Sequence, residues 1–197
     1  MNIKFSITSF FLLMTICLFP HSAFSQNVKT GEVYNHALDS LQNILKTAKE
    51  DTNKVNLLIQ MSEECDETKL LKYAEPAFHL AEKLNYKKGI AIACNNIGFV
   101  YDLHGEVSKA LEYYYKSLKI EEEIADKEGI AYSLINIGHV YEVQGDTRNA
   151  LDCNKKSLKI FEEIKNKEGI ASALNNIGAF YDEIGNYPNA LDCYNKN

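Results

Sequence analysis

The sequence predicts an all-α protein, a right-handed α-solenoid of antiparallel helix pairs. Three observations point to it. A 40-residue unit recurs from residue 89 onward, opened at Gly89, Gly129 and Gly169 by Gly-Ile-Ala, and residues 89–128 match 129–168 at 21 of 40 positions without a gap. A fixed period of this length marks stacked supersecondary units, each burying its apolar face on the next. Within a copy, Ile90, Ala93, Cys94, Ile97 and Tyr101, then Ala110, Leu111, Tyr114, Leu118 and Ile124, follow helical spacing. Gly105, Gly145 and Gly185 fall between these two stretches, where a left-handed residue closes a helix at little steric cost.

The elements follow in chain order. Residues 1–25 have the pattern of a signal peptide: Lys4, an apolar stretch from Phe10 to Phe19, and a small-x-small cleavage site at Ala23-Phe24-Ser25. The apolar stretch is shorter than the roughly 20 residues of a membrane span. Bulky Ile16 and the apolar residues after Cys17 argue against lipid attachment there. Residues 26–31 are expected to be a flexible N-terminal segment. An apolar stripe including Leu38, Leu41, Ile44 and Leu45 predicts a helix over 32–49, and Asp51-Thr52-Asn53 ends it and caps the next.

Residues 52–88 read as a degenerate copy of the unit. Its second helix, expected from about Thr68 to Leu84, contains Pro76, which is expected to kink or split it. Copies at 89–128 and 129–168 follow, with Asp126 and Asn166 placed as N-caps. An incomplete copy fills 169–197, with Pro188 in the first turn of its second helix. Gly98, Gly138 and Gly178 lie inside helices, where glycine costs about 1 kcal/mol relative to alanine, so close approach of the paired helix is expected there. Cleavage leaves 172 residues, room for about seven or eight helices.

Composition narrows the function. The net charge is −6 and no basic stripe is present, which argues against nucleic acid as a partner. No stretch after the signal is apolar enough for a stable membrane span. No phosphate-binding glycine loop, nucleophile elbow or paired-carboxylate arrangement stands out, so no enzyme and no cofactor are expected. His139 has no His or Cys at helical spacing, so no metal is expected. Cys94 stands where later copies have Leu134 and Leu174 and reads as a small core residue. The run Glu121-Glu122-Glu123 is assigned to a solvated face near a helix end.

The run Leu174-Asn175-Asn176-Ile177-Gly178-x-x-Tyr181, followed by Gly185 and Ala190-Leu191, resembles the tetratricopeptide repeat. The 40-residue length resembles its long-helix branch, as in kinesin light chain-like and bacterial regulatory proteins. The likeness is strong from 89 onward and weaker over 52–88. Cys94, Leu134 and Leu174 replace the family's first-helix Trp, and Glu122 and Glu162 its late Pro, changes compatible with the fold.

The resemblance implies a concave groove, lined by the first helices, that binds a protein or peptide partner. The matching positions are Asn95, Asn96, Phe99 and Asp102; Tyr132, Ile135, Asn136, His139 and Glu142; and Asn175, Asn176 and Asp182. An asparagine carboxamide donates and accepts at once, which suits it to a partner's backbone. It equally suits bonds between neighbouring repeats, and the sequence leaves both open for Asn96, Asn136 and Asn176. The functional expectation is an exported scaffold, periplasmic or secreted from a bacterium. The alternative is a sensory segment of a larger membrane signalling protein, a histidine kinase or transcription regulator, cut short where the last copy stops at Asn197.

Overall fold

A computed structural model describes residues 31–196, with side chains from residue 38. The expected signal peptide and residues 26–30 lie outside the described residues. Among the described residues there are nine α-helices and no strand. They are α1 (Gly31–Thr47), α2 (Thr52–Glu64), α3 (Leu70–Lys83), α4 (Lys87–Leu103), α5 (Val107–Ile124), α6 (Lys127–Val143), α7 (Thr147–Ile164), α8 (Lys167–Glu183) and α9 (Tyr187–Asn195). Nine helices exceed the seven or eight expected from length, because most connections take only two or three residues. No helix among the described residues is long and apolar enough to cross a membrane.

Helices pair as α2/α3, α4/α5, α6/α7 and α8/α9, and each second helix packs on the next first helix. The first helices also touch in series, α2 on α4, α4 on α6 and α6 on α8. This is the contact pattern of a solenoid, in which each unit meets its neighbours alone. α1 packs on α2, and its Leu38, Leu41 and Leu45 cover the first part of the core.

Local chemistry sets the helix ends. Asp51 accepts from the backbone N–H groups of Asn53 and Lys54, Asp126 from Gly129 at 3.1 Å, and Asn166 from Gly169 at 2.9 Å. First helices end before Gly105, Gly145 and Gly185, whose φ values of 70°, 76° and 74° lie in the left-handed region. Second helices also end on left-handed residues, but these are Asn85, Ala125 and Lys165.

α3 runs through Pro76 as one helix, so the expected split does not occur. Pro76 faces solvent, where the carbonyl deprived of its N–H partner meets water, while Ala74, Ala77, Phe78 and Leu80 hold the opposite face in the core. The helix begins at Leu70 because Glu67–Lys69 form a 3₁₀ turn.

The mid-helix glycines are contact points. A Cβ on Gly98 would stand 2.8 Å from the Tyr114 ring, and one on Gly178 would stand 2.6 Å from Tyr194. In the middle pair Asn154 takes the tyrosine's place against Gly138, at 3.0 Å. Gly89, Gly129 and Gly169 are equally crowded, by Tyr86, Glu121 and Phe161 respectively. On α9, Ala190 is buried while Leu191 and Tyr194 are exposed.

Candidate functional site

The expected binding face is built by α4, α6 and α8, with α2 at one end. Helical spacing puts residues 95, 96, 99 and 102 of α4 on one side, and positions 40 and 80 residues later repeat that side on α6 and α8. The structure resolves these residues into three behaviours: bonding between helices, burial, and exposure at the rim.

The asparagines bond between helices. Asn96 Nδ2 donates to Ser62 Oγ at 2.7 Å, Asn136 Nδ2 to Asn95 Oδ1 at 3.5 Å, and Asn176 Nδ2 to Asn154 Oδ1 at 3.0 Å. Stacking bonds, one of the two roles the sequence left open, are therefore present at all three. Each bond uses one of the carboxamide's two N–H donors. Asn95 is the most connected: its Nδ2, with two N–H donors, lies 2.9–3.1 Å from Ser117 Oγ, Ser133 Oγ and Glu121 Oε1.

Ile135 does not belong to this face. It is 2% exposed and packs with Ala131, Phe161 and Ala173, because the neighbouring joint is apolar and draws an aliphatic side chain inward. Tyr132 is half-buried, with its ring edge-on to Phe161 at 4.9 Å. Phe99 is half-buried against the first core cluster.

The charged residues form a distinct group. His139 Nδ1 and Asp102 Oδ2 are 2.8 Å apart, joining α4 to α6. Burial alone would lower the His139 pKa, but Asp102, through its hydrogen bond and charge, and Glu142 outweigh it and raise the pKa. Loss of hydration raises the Glu142 carboxyl, Glu183 of α8 raises it further, and His139 opposes. Asn175 and Asp182 are exposed on α8.

Glu142 and Glu183 stand over a cleft that also takes in Ala150, Leu151 and Asn154 of α7 and Asn176, Ile177 and Phe180 of α8. Asn154 helps to make it. Where the other pairs carry Tyr114 and Tyr194, its smaller carboxamide is buried against Gly138 and lines a cleft whose free space is about 10 Å³, room for one water.

Two acidic residues escaped the sequence reading. Glu63 on α2 is pushed up to about 7, chiefly by burial, with Glu64 adding and an Asn96 hydrogen bond opposing. The register that aligns Ser62 with Gly98 sets Glu63 beside Phe99 and His139, and that signal could have found it. Glu121 is not on the solvated face expected for Glu121-Glu122-Glu123. It is 2% exposed, while Glu122 and Glu123 are exposed. Its register with Phe161 forty residues later was the available sign of an interior position.

Among the described residues no group of three or more His, Cys, Asp or Glu could hold a metal ion. The Cys94 thiol is buried and pushed up to about 12, mainly by burial, so it stays neutral.

Residues 129–196 and 91–124 match two family models, each described as Tetratricopeptide repeat. Among curated proteins none matches. Solved structures with similar architecture include BtubC (BKLC) from P. vanneervenii, at TM-score 0.63 and 19% identity over 84% of this chain and 69% of that one. A Rap protein complexed with competence and sporulation factor gives a TM-score of 0.76 and 20% identity over 84% of this chain. The chain spans about half of that protein's length, 48%. A kinesin light chain from Podosopora anserina with nearly identical TPR-like repeats gives 0.62 and 12% identity over 83% of this chain and 84% of that one. At these identities the likeness is one of fold. Together, the recurring glycines, the helix-pair stacking and the two matched segments, which cover more than half of the sequence, place this chain in the tetratricopeptide repeat family.

Proposed function

We propose that the chain is a non-enzymatic scaffold that holds a segment of a protein or peptide partner along α4, α6 and α8, with a basic side chain of that segment seated between Glu142 and Glu183. The carrying observation is the charge of this face. Asp102, Glu142, Asp182 and Glu183 lie along it with Glu63 at its end, and no Lys or Arg occupies the matching positions of the three helices. The lysines of this region pair elsewhere, as in Lys87–Glu123 and Lys127–Glu163, both at 3.0 Å.

Leu151 and Phe180, half-buried beside the two acids, offer apolar surface across which the methylene stem of lysine or arginine can lie below its charged head. Asn176 keeps its second donor and its carbonyl oxygen for a partner backbone, with Asn175 exposed beside it, while Asn95, Asn96 and Asn136 brace the face from within the stack. The Rap protein of like fold is complexed with competence and sporulation factor, which supports a binding role for this architecture.

Selection from a random peptide library on the purified chain is expected to enrich Lys or Arg. Glu142→Gln and Glu183→Gln together are expected to weaken the selected peptides about tenfold or more, the scale of a lost charge-assisted hydrogen bond. Selected peptides without basic residues, or unchanged affinity in the double variant, would refute the assignment. Export is part of the same reading and is tested separately: the N-terminus of the protein recovered outside the cytoplasm is expected at Gln26, and a chain that still begins at Met1 overturns it.

A further inference from the structure

Glu121 is an acid without a cation in the middle of the stack. It lies where α4, α5 and α6 meet, and the equivalent residues of the other pairs are Ala81 and Phe161. Its surroundings changed with it. Asn95, Ser117 and Ser133 surround Glu121, whereas Ile135, Ser157 and Ala173 surround Phe161. Gly129 supplies the space, since a Cβ there would stand 2.8 Å from the carboxyl carbon. One joint of the solenoid is therefore polar at three positions where the next is mostly apolar.

Counting protons indicates which form of Glu121 this joint accepts. Ser117 Oγ lies 2.7 Å from the Ala91 carbonyl oxygen and 3.0 Å from Glu121 Oε1, yet a hydroxyl has one proton. Ser157, with no acid near it, makes the same bond to the Ala131 carbonyl at 2.8 Å, so the carbonyl is the serine's default acceptor. With the serine proton on the carbonyl, the 3.0 Å contact is a hydrogen bond when Glu121 carries a proton and donates it to Ser117 Oγ. Ser133 Oγ donates to the other carboxyl oxygen at 2.6 Å. Asn95 has two N–H donors and three acceptors within reach, Ser117 Oγ at 2.9 Å, Ser133 Oγ at 3.0 Å and Glu121 Oε1 at 3.1 Å. With a protonated acid every contact of 3.0 Å or less has a donor, and only Asn95 Nδ2–Glu121 Oε1 at 3.1 Å and Ser133 Oγ–Asn95 Oδ1 at 3.2 Å go without. With a carboxylate the site is one proton short, and Ser117 must leave either the Ala91 carbonyl or Glu121 Oε1 without its proton in a buried place.

We propose that the joint between the α4–α5 and α6–α7 pairs is a proton-sensitive hinge, tight while Glu121 is a neutral acid and loosened when it ionises. The groups facing it are Asn95 and the neutral Cys94 of α4, Ser117 of its own helix, and Ser133 of α6. Asp126, the α6 cap, adds negative charge, and Lys88 of α4 partly offsets it across 3.3 Å. Burial raises the Glu121 pKa, the hydrogen bonds from Ser133, Ser117 and Asn95 oppose, and Asp126 raises it further.

A raised folded-state value means that the closed joint holds a proton the open joint releases. Its stability is complete below the ordinary glutamate value and is lost as pH rises through the raised one. Each pH unit between the two values lowers the closed-to-open ratio by up to tenfold, and above the raised value, where both states are ionised, the ratio is constant. The network continues from Asn95 to Asn136 on the binding face, so opening there also disturbs the proposed partner site.

The direct measurement is a carboxyl carbon NMR titration of Glu121 in the intact protein, with a midpoint above 4.5 expected and a midpoint at or below it overturning the hinge. The second is hydrogen exchange of α6 amides between about pH 5 and 8 in wild type and Glu121→Gln, whose carboxamide reproduces the neutral acid. Comparing the two cancels contributions from His139 and Glu63. The ratio of Glu121→Gln to wild-type protection is expected to grow by up to tenfold per unit until pH passes the raised Glu121 value, and then to level off. A constant ratio overturns the proposal. Glu121→Ala, which copies Ala81, is expected to show the same pH-independence and serves if the glutamine variant does not fold.

Discussion

Gly169→Ala is expected to be the most damaging single-methyl change on α8. The added Cβ would stand 2.2 Å from Phe161 Cδ1 and 2.4 Å from Cε1 and Cγ, against about 3.5–4.0 Å for carbon atoms in contact. The ring cannot easily yield. Phe161 is 0% exposed, clustered with Ala131, Ile135 and Ala173, and met edge-on by Tyr132. Moving α8 instead would strain the 2.9 Å cap bond from Gly169 to Asn166. Overpacking of this kind costs about 1–3 kcal/mol, here at the upper end because three atoms overlap. Alanine returns at most about 1 kcal/mol of helix propensity, and less in a first turn. A net loss of about 2 kcal/mol follows, or about 4–8 °C in Tm for a domain of this size.

Urea unfolding followed by circular dichroism measures it, in a cycle with Phe161→Ala. That change alone is expected to cost about 3–5 kcal/mol through the cavity it leaves. In its background Gly169→Ala is expected to be neutral or stabilising, giving a coupling of about 2 kcal/mol. Equal effects of Gly169→Ala in both backgrounds, or wild-type stability of the single variant, would refute the steric account.

Ala125→Gly is expected to stabilise by about 0.5 kcal/mol, because φ at this α5 cap is 55°, where a Cβ is penalised, and the relief exceeds glycine's unfolded-state entropy; thermal unfolding reads it. Asp126→Ala removes the bond to Gly129 N and is expected to cost about 1 kcal/mol in denaturant unfolding. For His139, the raised pKa means that the Asp102 pair stabilises fully below about 6.5 and that this contribution fades as pH rises through the raised value. The stability advantage of wild type over His139→Gln is therefore expected to shrink from about pH 6 to 8, and a growing advantage would contradict the pairing.

The cyclic glycines show how legible the chain was. Gly105, Gly145 and Gly185 announce left-handed turns locally, and Gly98, Gly138 and Gly178 announce close contacts because glycine inside a helix needs compensation. The caps Asp126 and Asn166 were equally plain, since capping is a short-range bond. What blocks each of the glycines at 89, 129 and 169 was not visible, for their partners Tyr86, Glu121 and Phe161 differ from copy to copy. Pro76 was misjudged because its cost depends on which side of the helix meets water.

The sequence alone determined the repeat, the helix pairs, their turns and the family, because a 40-residue period and helical spacing are properties of chain order. It also determined that the groove positions of the first helices carry acids and amides without lysine or arginine. Only the tertiary structure decided how those side chains are used. It drew Ile135 into an apolar joint and Glu121 into a polar one, joined Asp102 to His139, and turned Asn96, Asn136 and Asn176 toward neighbouring helices. The reason is physical: burial and hydrogen-bond pairing at a joint depend on side chains brought together from three helices, up to about 40 residues apart, and no single period of the sequence contains them all.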